Sequence, residues 1–131
     1  MSAEGVAGPG PVSLVLPAVA GMARVARLTA SAVAALADLG VDDIDDVKIA
    51  VSEVVALLIE HGDRSNLSMR FEIHGRALAI EGAAAATRFS GNDDTVVLST
   101  TVLDAVAGGH ELAFIDGRIL VRVVKHASDP T

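Results

Sequence analysis

Cysteine is absent from the 131 residues. That excludes disulfides, thiolate metal sites and a cysteine nucleophile, and fits a reducing cytoplasm. Tryptophan and tyrosine are absent too, and Phe71, Phe89 and Phe114 are the only aromatic residues. Surfaces that stack bases or grip sugars on aromatic faces are therefore not expected. Basic residues are scarce: ten Lys and Arg against 17 Asp and Glu leave a net charge of −7. A chain this acidic is repelled by phosphate backbones and anionic lipid, so no direct nucleic-acid or membrane partner is expected. No apolar run approaches the ~20 residues that span a bilayer. Met1 to Pro11 lacks the basic stretch and apolar run of a secretory signal, so a soluble, cytoplasmic protein is expected. What the chain does have is aliphatic. Hydrophobic residues make up 51% and alanine contributes 23 of them, enough for a core.

The length suits one domain over residues 12–125, with a Gly/Pro-rich tail at 1–11 and a short tail at 126–131. Val12 to Leu16 alternates like a short strand that stops at Pro17. Met22 to Leu39 is expected as a helix whose apolar positions are Met22, Val25, Leu28, Ala32, Val33 and Leu36, with Gly40 as its stop. Asp42 to His61 carries the strongest helical pattern: Ile44, Val47, Val51, Val54 and Leu58 step by three and four, and Gly62 closes the helix. Asp42, Asp43, Asp45 and Asp46 crowd its start, where carboxylates cap free N–H groups. Leu67 to Ile80 reads as a hairpin turning at His74-Gly75-Arg76. Gly82 to Asn92 has no period and reads as a loop. A third helix is expected from Asp93 to Val106 through Val97, Val102 and Val106. A second hairpin runs through Glu111–Ile115, Asp116-Gly117 and Arg118–Val124. The order βααββαββ predicts an α+β two-layer sandwich, three helices on one face of a mostly antiparallel sheet of about five strands.

The segment Val51 to Gly62, VSEVVALLIEHG, with Asp46-Val47-Lys48-Ile49-Ala50 before it, resembles the signature helix of RsbW/SpoIIAB-type anti-sigma factors, serine/threonine kinases of the GHKL (histidine-kinase-like) ATPase superfamily. The resemblance spans roughly Val12 to Lys125 and implies that superfamily's fold. It implies that Glu53 is the residue assisting proton removal from a target serine, facing nucleotide together with the position four residues on. The family's Mg²⁺-holding Asn is replaced there by Leu57, and an isobutyl group offers no oxygen to Mg²⁺. The family's adenine-binding Asp-x-Gly-x-Gly corresponds to Ile80-Glu81-Gly82-Ala83-Ala84, where Gly82 survives and Glu81 is the nearest acid. At the family's phosphate-binding glycines stands Ser90-Gly91-Asn92-Asp93-Asp94, whose carboxylates occupy the helix N-terminus.

The nucleotide-binding positions implied by resemblance are thus Glu53, Leu57, Glu81 and Gly82, a degenerate pocket with Glu53 as its one catalytic remnant and no metal ligands. Other chemistry has less support. His61, His74, His110 and His126 lack zinc spacing and are expected to face solvent. Glu53 and Glu60 share a helix face only roughly, and no Gly-x-Ser-x-Gly elbow occurs. Arg24 and Arg27 read as residues that keep the first helix's outer face soluble.

The resemblance implies a regulator that sequesters an RNA polymerase sigma factor, is released by a STAS-domain antagonist, and forms a homodimer, with no cofactor in place of the family's ATP and Mg²⁺. The alternative is an active ATP-dependent serine/threonine kinase that phosphorylates that antagonist. A third reading is a structural subunit pairing with an intact paralogue.

Overall fold

A computed structural model describes residues 10–128. The expected tail residues 1–9 and 129–131 lie outside the described residues. The elements follow in the order β1 (Val12–Pro17), α1 (Met22–Leu36), α2 (Val41–His61), β2 (Asn66–Ile73), β3 (Ala77–Ala85), α3 (Asp94–Ala107), β4 (Glu111–Ile115) and β5 (Arg118–His126). The five strands form one sheet in the order β1-β2-β3-β5-β4, and each neighbouring pair is antiparallel. The fold is the α+β arrangement expected from the element order.

Alternation places one residue set of each strand under the helices. Val12, Phe71, Ile80 and Val123 form one cross-strand row, and Leu14, Met69, Gly82 and Val121 the next. Phe71, Ile80, Met69, Val121 and Val123 are buried there. The hairpin turns follow local chemistry. Gly75 has φ +61°, and Asp116-Gly117 takes φ +53° and +74°, the paired positive values of a two-residue hairpin turn.

α2 lies at the centre of the helical layer. Its buried residues include Val47, Val51, Val54 and Leu58 of the stripe legible in sequence, while Ile44 is half-buried, and Val55 and Leu57 widen the buried face. α1 departs from expectation. Its buried face is Ala26, Ala30, Val33 and Ala34, whereas Leu28 and Leu36 are 64% and 65% exposed and Val25 also faces out. Alanine admits a close helix–helix approach that leucine would block, so packing distance overrides the pattern of the larger side chains. α1 also ends without Gly40. Asp38 takes a left-handed φ of +59°, and the N–H groups of Asp38 and Leu39 return to the carbonyls of Ala35 and Ala34. Gly40 instead precedes the first turn of α2.

Three further expectations are corrected. The stretch Gly82 to Ala85 is strand, not loop, because β2 and β5 hydrogen-bond to it on both sides. On α3 the buried anchors are Val96 and Leu103, while Val97 is exposed. The segment from His126 is no free tail: His126 ends β5, the Ala127 N–H donates to the Arg76 carbonyl, and Ser128 is tied down by Asp43.

The acidic start of α2 is not a capping cluster. No side chain caps that terminus. Asp43 is buried and accepts from the Ser128 N–H at 2.8 Å and the Ser128 hydroxyl at 2.6 Å. Lys125 donates to Asp46 at 2.9 Å and to the Val106 carbonyl at 3.0 Å, and lies 3.7 Å from Asp43. These bonds fasten the end of β5 to α2 and α3. The Ser128 hydroxyl first, then its N–H, then the Lys125 charge, hold the Asp43 carboxyl below its ordinary value against the opposing effect of burial.

Candidate functional site

The residues singled out from sequence lie on α2, on β3 and at the mouth of α3, and the fold brings α2 against β3. Glu53 is half-buried on α2. Leu57, one turn on, is only 2% exposed and belongs to the hydrophobic core. No oxygen reaches that position from its own side chain, so it cannot ligate Mg²⁺. Among the described residues no three His, Asp or Glu side chains are grouped to hold a metal ion.

Glu81 and Gly82 are adjacent on β3 and therefore face opposite sides of the sheet. Gly82 faces α2. A Cβ built on it would stand 2.5 Å from Val54 Cγ1, 2.8 Å from Leu58 Cδ1 and 3.1 Å from Met69 Sδ. Gly82 is thus a packing glycine: α2 approaches so closely that only hydrogen fits. Glu81 faces away from the helices, where it accepts from Arg122 Nε at 3.2 Å. Its carboxylate is on the wrong side of the sheet to meet a nucleotide lying against α2. Glu81 and Gly82 both border a cavity on the sheet whose lining includes neither Glu53 nor Leu57.

The mouth of α3 is closed by the chain itself. Asp93 is the N-cap, and its Oδ1 accepts from the Thr95 N–H at 2.9 Å and from the Thr95 hydroxyl at 2.6 Å. Thr95 first, with the nearby His61 charge adding to it, holds the Asp93 carboxyl below its ordinary value. A carboxylate therefore takes one of the N–H groups that would otherwise meet phosphate. Residues 86–93, between β3 and α3, form the whole connection available as a lid.

His61 does not face solvent as expected. Its Nε2 lies 2.8 Å from Thr95 Oγ1, and its ring meets the Phe89 ring edge-on at 5.8 Å. The Thr95 hydroxyl has one proton, already donated to Asp93, so His61 presents Nε2–H to Thr95. The relay His61–Thr95–Asp93 joins the end of α2 to the start of α3 beside a cavity of about 410 Å³ that Glu60, His61, Arg88 and Asp93 help to line. Glu53 and Leu57 are not among its lining residues. His61 was identifiable in sequence only as a helix-end residue; its partners come from the first turn of α3 and the segment that precedes it.

ATP with Mg²⁺ therefore does not fit the residues present. The metal position is aliphatic and buried, the glycine is filled from α2, the acid points away, and a side chain caps the phosphate-binding turn. No helix of the described residues is long and apolar enough to cross a membrane. No curated protein matches the chain. Compared with known families, residues 16–114 match the histidine kinase-like ATPase domain, from within β1 to within β4. With about three quarters of its length matched, the chain belongs to the histidine kinase-like ATPase domain family.

Proposed function

We propose that this chain is an anti-sigma regulatory factor that binds and sequesters an RNA polymerase sigma factor and yields it to a STAS-domain antagonist. The observation that carries the reading is the contact of Val54 and Leu58 with Gly82, beside the buried Leu57. The face of β3 at Gly82 is packed by the chain's own core side chains from α2, which favours a role exerted through the surface. Sequestration needs shape and charge complementarity and no chemistry, so it survives loss of ATP. A net charge of −7 suits a partner whose DNA-contacting surfaces are basic.

The test is titration of each sigma factor of the same cell into the purified protein, followed by calorimetry at two salt concentrations. One sigma factor binds tightly and more weakly at high salt; failure of all of them refutes the proposal. The kinase alternative is tested separately by melting the protein with and without Mg-ATP, since a ligand of the folded state raises the midpoint. A clear rise would favour the kinase reading.

A further inference from the structure

The helices cover one face of the sheet and leave the other bare. Arg122, Val124 and His126 alternate along β5 and share that bare face with Glu81. There a cavity of about 520 Å³ lies between the β2–β3 turn and the end of β5. Its ionisable lining is His74, Arg76, Arg122 and His126, and its apolar lining is Ala77, Val124 and Ala127. No carboxylate lines it. In a chain of net charge −7 that sets it apart. Cavities of about 550, 230 and 410 Å³ elsewhere on the molecule each take carboxylates into their walls: Glu81 and Glu111 in the first, Glu111 in the second, Glu60 and Asp93 in the third. The backbone holds the two sides of the cationic cavity together. His74 and Ala77 exchange N–H···O bonds of 2.9 and 3.0 Å across the turn, Ala77 pairs with His126, and the Ala127 N–H donates to the Arg76 carbonyl at 2.8 Å. The site is therefore formed before any ligand arrives, which lowers the ordering cost of binding.

We infer that this cavity binds a small organic phosphate, a phosphomonoester whose oxygens meet Arg76 and the two imidazoles while its apolar part lies on Ala77, Val124 and Ala127. Arg76 supplies the uncommitted charge. Among the described residues it makes no ion pair, and its Nη2 donates only to the Asp38 carbonyl, at 3.4 Å. Arg122 is already engaged, donating from Nε to Glu81 at 3.2 Å with Nη1 3.7 Å from Glu111, so it shapes the wall. Glu72, the acid beside His74, accepts from Arg70 at 3.3 Å and lies 3.6 Å from His74 Nε2. Phosphate suits this arrangement better than carboxylate. One guanidinium fork satisfies both oxygens of a planar carboxylate, whereas donors on three separate side chains match the three terminal oxygens of a tetrahedral phosphoryl group. One arginine and two imidazoles balance a single dianionic group and not a polyphosphate. The volume falls in the range of ligand pockets, about 300–1,000 Å³, and exceeds the needs of the phosphoryl group alone, which leaves room for a body against the apolar wall. Leu57 and the side of β3 at which Gly82 meets α2 lie on the other side of the sheet, so this site is separate from the family's nucleotide position. The inference goes beyond the sigma-factor reading and does not depend on it.

The test titrates phenyl phosphate, inorganic phosphate and benzoate separately into the full-length protein, with amide and imidazole NMR shifts locating each ligand and giving its dissociation constant. Phenyl phosphate binds most tightly and shifts His74, Arg76, Ala77 and Ala127. Inorganic phosphate, without the apolar body, and benzoate, without the third oxygen, bind more weakly at the same residues. Arg76→Gln and His126→Asn each remove a donor to the anion and weaken phenyl phosphate about tenfold or more. Arg24→Gln makes the same charge change on the exposed side of α1 and leaves the affinity unaltered, which separates the cavity from the general field of the protein. Circular dichroism confirms that the three variants are folded. Shifts that fall elsewhere, benzoate or inorganic phosphate binding as tightly as phenyl phosphate, either cavity variant binding like the parent, or Arg24→Gln losing as much as Arg76→Gln would each overturn the inference.

Discussion

Replacing Gly82 by alanine adds one methyl group and asks whether the space between α2 and β3 is core or cleft. The added Cβ would stand 2.5 Å from Val54 Cγ1 and 2.8 Å from Leu58 Cδ1. Leu58 and Met69 can turn away. Val54 cannot, because a β-branched side chain in a helix has essentially one rotamer. Relief requires α2 to retreat from the sheet, and overpacking of this kind costs about 1–3 kcal/mol. The lower chain entropy of alanine in a strand offsets roughly 0.5 kcal/mol. Gly82→Ala is therefore expected to lose about 1–2 kcal/mol and to melt about 3–8 °C lower. The assay is urea unfolding followed by far-ultraviolet circular dichroism, since the chain has no tryptophan or tyrosine to report by fluorescence. Val54→Ala alone opens a cavity worth about 2 kcal/mol. In that background the new methyl enters the vacated space, so the two substitutions couple by about 1–2 kcal/mol. A neutral or stabilising Gly82→Ala in the parent, with additive behaviour in the double variant, would mean that Gly82 faces an open cleft and would refute the filled-core argument.

Leu57→Asn restores the residue type the family uses for Mg²⁺ but buries an amide in an aliphatic site. It is expected to cost about 3 kcal/mol in urea unfolding and to give no melting shift with Mg-ATP. Asp43→Ala removes two charge-assisted hydrogen bonds from Ser128 and leaves Lys125 with Asp46 and the Val106 carbonyl, a loss of about 2 kcal/mol by the same measurement. Because the folded protein holds the Asp43 carboxyl below its ordinary value of 3.8, its contribution is present above that value and fades as pH falls through the lower folded one. Acid unfolding of the parent and of Asp43→Ala should therefore converge at low pH. Asp93→Ala uncaps α3, so hydrogen exchange at the Thr95 amide should accelerate, with little change at the core residue Leu103.

The parts of this molecule that were legible in sequence are those fixed by local chemistry. The hairpins rest on Gly75 and on Asp116-Gly117, whose backbone preferences do not depend on distant partners. α2 was legible because its core positions carry large side chains at helical spacing. Where distance between elements decides the outcome, the same logic misleads. On α1 the largest apolar residues face out because the gap to α2 admits alanine, and Ala83 to Ala85 join a strand because β2 and β5 flank them, not through any β preference of their own. The candidate site shows the same division. The loss of oxygen at position 57 is a property of the residue type and was readable at once. The side of the sheet that Glu81 faces, and whether a hollow lies over Gly82, depend on register and on Val54 arriving from another element. A family motif that survives in sequence as a lone glycine therefore carries two incompatible meanings, a loop that approaches phosphate or a strand that approaches a helix. Only the neighbour 2.5 Å from its missing Cβ distinguishes them.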